Sequence, residues 1–401
     1  MLHKSAKMLY RTGLIAAGIL ISAVGCGNKL QDNGKESMQN ISQNDEMILE
    51  VFLNIYEEAN KEESFYNLET IRSIINQLGE NGYATVDSQN QIDMTCSEQI
   101  EEFCQRVEKK EEAETEIIIV SYDGGFTKYD LSTKSGSVNV IKRDYIYEDG
   151  IIENINSAEY MAETWNYTEE GYLFFGGSSN SEIYQVMLLS EMPERAAVRV
   201  LPLDEKCREL NRKYILPIGY CHNNMFISDW SENDFGELDF YDMFDVLYPL
   251  VYNRPIPYVL DLNLDEGAIY HITTEEFEGV IMEYFNIDRN ELRERTNYFR
   301  ENNTYEYKPR GFYETEFQDV PYPEVIRYKE NTDGTLSLTV NAVYHKLCTS
   351  KAYVHEVVVC PLADGGVKYI SNKIIPSDDN FEEDWHKPRL TEESWEEVYG
   401  H

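Results

Sequence analysis

Apolar residues recur at intervals of three and four positions in three early segments of the chain, which is the spacing of amphipathic helices. Asp45 is a candidate cap for the first helix, Asn67 begins the second, which stops at Gly79, and Ser97 begins the third. Each helix is therefore predicted to bury one face and expose the other. The positions predicted to be buried are Met47, Ile48, Val51, Phe52, Ile55, Leu68, Ile71, Ile75, Leu78, Ile100, Phe103, Cys104 and Val107.

After the third helix the pattern changes to short apolar runs separated by glycine-containing turns, which is typical of antiparallel strands. Residues 117–120, 126–131 and 138–141 are predicted to form consecutive strands of a meander. Two further strands are predicted on either side of residues 176–180. Residues 45–203 are therefore predicted to form one α+β domain.

The second half repeats this order of helices followed by strands. Helices are predicted over residues 204–214 and 239–248, and Pro249 is expected to end or bend the second because it lacks a backbone N–H. Thr273 with Glu276 three residues later forms a capping box at the start of another helix.

A meander of three strands is predicted over residues 336–347, 352–359 and 367–374. The fold class is therefore α+β, with two halves that each have helices followed by an antiparallel β-meander, and residues 204–401 form the second domain. In the first strand of this meander the alternation predicts that every second residue faces the core while Ser337 and Thr339 face outward. The residues predicted to face the core are Leu336, Leu338, Val340 and Ala342.

The first 26 residues have the three parts of an export signal. Lys4, Lys7 and Arg11 supply positive charge, residues 14–24 are apolar, and the segment ends in Ala23-Val24-Gly25-Cys26. This ending resembles the lipobox of bacterial lipoproteins, although the usual leucine at its first position is an alanine here. The alternatives to a lipoprotein signal are an ordinary cleaved signal peptide and an uncleaved membrane anchor.

The lipoprotein resemblance implies that Cys26 carries a lipid and that residues 1–25 are removed as a signal peptide. Residues 26–44 are polar and are predicted to be a flexible tether. The protein is then expected to be anchored by its N-terminal lipid on the extracytoplasmic face of the cell membrane.

Several short segments of the mature chain also resemble an uncharacterised lipoprotein family of clostridia-like bacteria, over most of its length. They are residues 223–226, 234–236, 333–335, 355–357 and 369–372. The resemblance implies no activity.

The charge of the chain excludes some partners. It has 35 basic and 73 acidic residues, a formal charge of −38, and without Lys4, Lys7 and Arg11 the charge is −41. Nucleic acid and anionic lipid surfaces would be repelled. The acidic residues are dispersed along the chain, which is typical of a solvated surface that keeps a protein soluble. The alternative explanation of the negative charge is a cationic partner or loosely held Ca²⁺.

Signatures of catalysis and metal binding are weak. The chain has neither a G-x-S-x-G nor an S-x-x-K sequence, and Cys221 adjoins His222, so on a strand the two side chains would point to opposite faces. Residues 261–265 resemble the start of a Ca²⁺ loop, but the required glycine and final glutamate are missing. His345 and His355 would face each other across a hairpin, without a third ligand. We therefore predict no cofactor and no metal site.

The most unusual stretch covers residues 226–248, which contain seven aromatic and seven acidic residues and no lysine or arginine. Aromatic rings beside carboxylates suit a sugar or a cationic ligand. Trp230, Asp229, Phe235 and Asp234 are the predicted ligand-binding residues, with Trp230 as the anchor. The alternative is an amphipathic helix whose aromatic residues belong to the core.

The sequence favours a lipid-anchored cell-envelope protein that binds an unknown ligand or protein partner and does not catalyse a reaction. The ligand is cationic or a carbohydrate on this interpretation. One alternative is a wall-active glycoside hydrolase that uses paired carboxylates. The other is a structural or assembly lipoprotein.

Overall fold

The computed structural model describes residues 43–62, 64, 67–148, 150–179, 192–259, 267–311, 314, 320–377, 380 and 386–400. The predicted signal peptide, Cys26, most of the predicted tether and the 261–265 segment lie outside these residues. The chain divides into two compact units. One comprises the described residues up to Leu203 together with His345–Ser350, and the other comprises Asp204–Tyr344 and the described residues from Lys351 onward.

Three helices and two sheets build the first unit. Its helices are α1 (Gln43–Glu62), α2 (Leu68–Glu80) and α3 (Ser97–Lys109). Its strands are β1 (Ala84–Asp87), β2 (Ala113–Val120), β3 (Gly125–Lys134), β4 (Ser137–Glu148), β5 (Ile151–Met161), β6 (Thr164–Tyr167), β7 (Tyr172–Ser179) and β8 (Met192–Arg199). The larger sheet has the order β1-β2-β3-β4-β5, and the smaller has the order β6-β7-β8.

The larger sheet is antiparallel except at β1 and β2, which pair in parallel because α3 connects them as a crossover. Apolar side chains pack against part of each face. On one face α1 and α2 pack over Ile118, Val120 and Phe126. On the other, α3 and residues of the smaller sheet pack around Ile117 and Val140.

The buried stripes of α2 and α3 have the predicted helical spacing. Ile71, Ile74, Ile75 and Leu78 are buried on α2, and Ile100, Phe103, Cys104 and Val107 are buried on α3. Gly79 is required near the end of α2, because a Cβ atom there would lie 2.6 Å from the side chain of Thr95.

The second unit has a five-stranded antiparallel sheet, a three-stranded sheet and short helices. Its helices are α4 (Glu205–Leu210), which continues as a π-helical turn (Asn211–Ile215), α5 (Phe240–Tyr252), α6 (Thr274–Tyr284), α7 (Arg289–Glu294) and α8 (Glu392–Tyr399). Its strands are β9 (Trp230–Ser231), β10 (Tyr270–Thr273), β11 (Tyr298–Phe299), β12 (Thr304–Tyr307), β13 (Tyr322–Glu330), β14 (Leu336–Tyr344), β15 (Thr349–Pro361) and β16 (Val367–Ile374). The sheet orders are β13-β14-β15-β16-β9 and β10-β12-β11.

The structure confirms the α+β fold class and several local predictions. The Thr273 side chain accepts a hydrogen bond from the backbone N–H of Glu276, as expected for the cap of α6. Leu338, Val340 and Ala342 are buried on β14, whereas Ser337 and Thr339 are only half-buried. Leu336 was also predicted to face the core, but at the start of the strand it is only half-buried.

Two local predictions need correction. Helix α5 was predicted to end at Tyr248 or to bend at Pro249, and it continues through Pro249 to Tyr252, because the proline costs one backbone hydrogen bond while Leu247 and Tyr248 remain packed in the core. His345 lies in a 3₁₀ turn (His345–Leu347) and not on a strand. The symmetric hairpin that would place it opposite His355 does not form.

Candidate functional site

The structure places the predicted aromatic ligand-binding residues in the core. Trp230 is 4% exposed and Phe235 is fully buried. The Trp230 indole N–H donates to the Met225 carbonyl oxygen at 2.7 Å, and its ring packs edge-on against Phe285. Trp230 was expected to be a loop side chain free to face a ligand, but it belongs to β9 and presents no ring to solvent.

The two predicted acidic residues serve backbone groups nearby. Asp229 accepts a hydrogen bond from the backbone N–H of Ile374 at 2.6 Å. Asp234 is exposed and accepts from the backbone N–H of Gly236 in the turn after β9. Of the four predicted residues, the two rings are thus buried and only Asp229 and Asp234 are exposed.

The acids of α5 instead form a buried ion cluster. Asp242 is fully buried and accepts hydrogen bonds from Arg310 at 2.8–3.1 Å and from the Arg389 Nε at 2.8 Å. His386 Nε2 lies 3.3 Å from its second carboxylate oxygen. Arg389 also pairs with Asp245.

The ion cluster stabilises the fold of the second unit. Burial alone would raise the pKa of Asp242, but His386, Arg389 and Arg310 together hold it below its ordinary value. Loss of hydration raises the pKa of Asp245 to about 6, against the opposing effect of Arg389. Because these cations occupy its carboxylate oxygens, Asp242 ties α5 to the segments that carry Arg310 and Arg389.

Cys221 and His222 were expected on a strand, and they lie instead in a turn where His222 has a φ of +54°. Cys221 is exposed as a free thiol. Among the described residues no group of histidine, cysteine, aspartate and glutamate side chains is arranged to hold a metal ion.

The strongest candidate surface lies on the larger sheet of the first unit, where α1 and α2 leave part of one face uncovered. Directly paired residues of neighbouring strands share a face. The pairings therefore place three rows of side chains across this surface, which we call the open face. The rows are Ile118-Lys128-Arg143-Ser157, Glu116-Asp130-Ile141-Glu159 and Glu114-Ser132-Asn139-Met161. Ile118 is covered by α1 and α2 and marks the border of the open face.

Charged groups on the open face are held by one another. The Lys128 ammonium lies 3.2 Å from both Glu116 and Asp130, and Lys128 is only 3% exposed. Arg143 pairs with the second oxygen of Asp130. Both basic residues of the three rows are thus engaged by acids. Glu159 accepts a hydrogen bond only from the neutral Asn139 side chain among the described residues.

A groove runs along this face between the start of β2, the end of β3 and the middle of β4. Its volume is about 420 Å³, and its lining includes Glu114, Glu116, Asp130 and Ile141. The groove can receive a cationic or hydrogen-bonding group, because three of its lining side chains are carboxylates. The arrangement suits binding, because its side chains are ordered by ion pairs before a ligand arrives.

One sequence signal could have indicated this surface. Glu114, Glu116, Ile118 and Val120 occupy every second position of β2. One face of this strand therefore changes from charged to apolar along its length. The rest of the open face depends on the pairing of four strands, which the sequence alone does not specify.

No helix in the part of the chain that the structure describes is both long and apolar enough to cross a membrane. Neither a curated protein nor a solved structure matches this chain. A family model described as "Family of unknown function (DUF6070)" matches residues 38–389. Since the match covers most of the chain, the protein belongs to the DUF6070 family.

Proposed function

We propose that this protein is a lipoprotein, held by a lipid on Cys26 at the extracytoplasmic face of the cell membrane, that binds a cationic partner through the open face. The open face carries the proposal, because its acids outnumber its bases and both bases are already paired. A long-range excess of negative charge also attracts cations. Turnover is not part of the proposal.

The arrangement of the carboxylates explains why a cation is favoured over a neutral ligand. Glu114 and Glu159 lie at opposite ends of the open face and are exposed. Between them Asp130 and Glu116 hold Lys128 in a fixed position. A partner with two or more positive groups could pair with the outer carboxylates without displacing the buried ammonium, so it would avoid the cost of unpairing a buried charge.

The binding proposal is tested with two cationic probes, spermine and a ten-residue lysine peptide, measured by calorimetry against the full chain. The Glu114→Gln/Glu159→Gln double variant should bind at least about tenfold more weakly, because it removes both outer charges. Glu294→Gln/Glu330→Gln changes the net charge equally at exposed sites of the second unit and should bind like the unmodified chain. Equal weakening in both double variants, or no binding of either probe, would contradict the proposal.

The anchor is tested separately by labelling growing cells with a radioactive fatty acid. Cys26→Ala should abolish the label, because the thiol that carries the lipid is gone. Cys221→Ala removes an exposed free thiol elsewhere and should keep the label. Equal labelling of the Cys26→Ala variant and the unmodified chain would refute the anchor.

A further inference from the structure

Among the described residues, no strand pairs with the outer edge of β5, the last strand of the larger sheet. β5 pairs with β4 on one side, and it is the final strand in the order β1-β2-β3-β4-β5. The Ala162 N–H donates a hydrogen bond to the Val138 carbonyl, and this pair continues the register of β4 with β5. Because hydrogen-bonded pairs alternate along an antiparallel ladder, Ala158 and Tyr160 bond to β4 and the backbone groups of Ser157 and Glu159 point away from it. No backbone partner for these outward groups lies among the described residues.

β5 is only partly protected against added strands, because a β-bulge at Ile155 interrupts its register but its pairing with β4 is regular from Asn156 to Met161. It is 11 residues long and contains no proline, lysine or arginine. Ile151, Ile155 and Met161 are 53%, 56% and 51% exposed. An extended segment placed along this edge would find both free backbone groups and apolar side chains to cover.

The charges at this edge decide what kind of segment fits. Glu153 and Glu159 are exposed on β5, and Glu159 belongs to the row that leads into the groove of the open face. A second copy of this chain, paired through the same edge, would bring four carboxylates together without a compensating cation. A segment that carries lysine or arginine instead places a positive charge opposite each carboxylate.

We propose that β5 is the docking edge for an extended, basic segment of a partner polypeptide, which adds a sixth strand to the sheet. This inference rests on the proposed function and specifies the class of its cationic partner. The backbone of β5 supplies hydrogen bonds that do not depend on sequence, and Glu153, Glu159 and the groove select positive side chains.

Three eleven-residue probe peptides separate these contributions. One alternates valine and lysine, the second alternates valine and glutamate, and the third keeps the lysines but replaces valine with proline, which cannot form a continuous ladder. The full chain should bind the valine–lysine peptide at least about tenfold more tightly than either of the others. Amide hydrogen exchange should slow at Ser157 and Glu159 on binding, because their outward N–H groups become bonded. The amides of Ala158 and Tyr160 are bonded already and serve as internal controls.

Two variants test the edge itself. Ser157→Pro removes one outward donor, and Glu159→Lys keeps the backbone while reversing a charge that the partner needs. Both variants should bind the valine–lysine peptide at least about tenfold more weakly than the unmodified chain, and Glu294→Lys in the second unit should bind it equally well. If Ser157→Pro does not fold, Glu159→Lys and the exchange measurement still decide the question.

The outcomes distinguish this inference from the function on which it rests. Equal binding of the valine–lysine and proline–lysine peptides, without protection at Ser157 and Glu159, would overturn strand addition and leave cation binding intact. Self-association of the chain through β5 without peptide would also overturn it. Failure of every cationic probe, including spermine, would refute the proposed function as well.

Discussion

His355 should make the stability of the second unit depend on pH. The ring is fully buried, with Nε2 2.9 Å from the Tyr220 hydroxyl and Nδ1 2.7 Å from Asn372 Oδ1. The Asn372 amide nitrogen donates to the Ser228 carbonyl at 2.8 Å, so the amide oxygen must face the ring. The histidine is therefore neutral, with its proton on Nδ1, and Tyr220 donates to Nε2.

The magnitude follows from the shift in pKa. Burial lowers the pKa of His355 from 6.5 to about 4, although the Asn372 hydrogen bond opposes the change. The unfolded chain therefore binds the proton more readily than the folded chain. The resulting stabilisation is complete above the unfolded pKa and is lost as the pH falls through the folded pKa. Between about pH 7 and about pH 5 the linkage relation gives a loss of about 2 kcal/mol in the free energy of unfolding.

Urea denaturation at the two pH values measures this loss. His355→Gln keeps a neutral hydrogen-bonding side chain that does not titrate, so its free energy of unfolding should change by about 2 kcal/mol less than that of the unmodified chain. His271→Gln replaces an exposed histidine and should keep the full dependence. Asp245, whose pKa is raised to about 6, works in the opposite direction, but it is present in every variant and cancels in the difference. The same pH dependence in His355→Gln and the unmodified chain would refute the reasoning.

Three further predictions concern the core of the second unit and are tested by thermal and urea denaturation. Leu338→Asp should unfold this unit because it buries an unpaired charge, whereas Ser337→Asp should cost far less at its half-buried position, and equal melting temperatures would show that the register of β14 is wrong. Asp242→Asn should cost about 3–5 kcal/mol, because buried Arg310 loses its counter-charge while Arg389 keeps only Asp245, and a cost near zero would mean that Arg310 finds another partner. Trp230→Ala should cost about 3–5 kcal/mol as a large buried aromatic residue, and an unchanged melting temperature would return Trp230 to the surface as a ligand contact.

The sequence predicted those helix caps and buried faces that depend only on residues a few positions apart. Thr273 and Glu276 are three residues apart, so the cap of α6 needs no distant partner. The stripe of α3 was predicted for the same reason, because its spacing alone determines which side is buried. The end of α5 was not predicted, since packing of Tyr248 in the core outweighs the local effect of Pro249.

The open face and the ion cluster depend on contacts between distant parts of the chain. β4 was predicted only to residue 141, because Lys142 and Asp144 interrupt its apolar pattern, yet the strand continues to Glu148. The acids of residues 239–245 were visible in the sequence, but their partners Arg310 and Arg389 lie about 65 to 150 positions later. A sequence pattern reports which side chains are buried, whereas these sites depend on which strands and segments meet.

The pairing of β9 with β16 has a consequence for the order in which the second unit can fold. The hydrogen bond between Asp229 and Ile374 joins residues 145 positions apart. A ribosome adds roughly 5–20 residues per second, so the partner of this segment emerges on the order of 10 s after it. During that interval Trp230 and Phe235 have no strand against which to pack. A nascent chain of this protein therefore lacks, for that time, one of the strands that bury this aromatic segment, and a chaperone that recognises aromatic segments could bind it then.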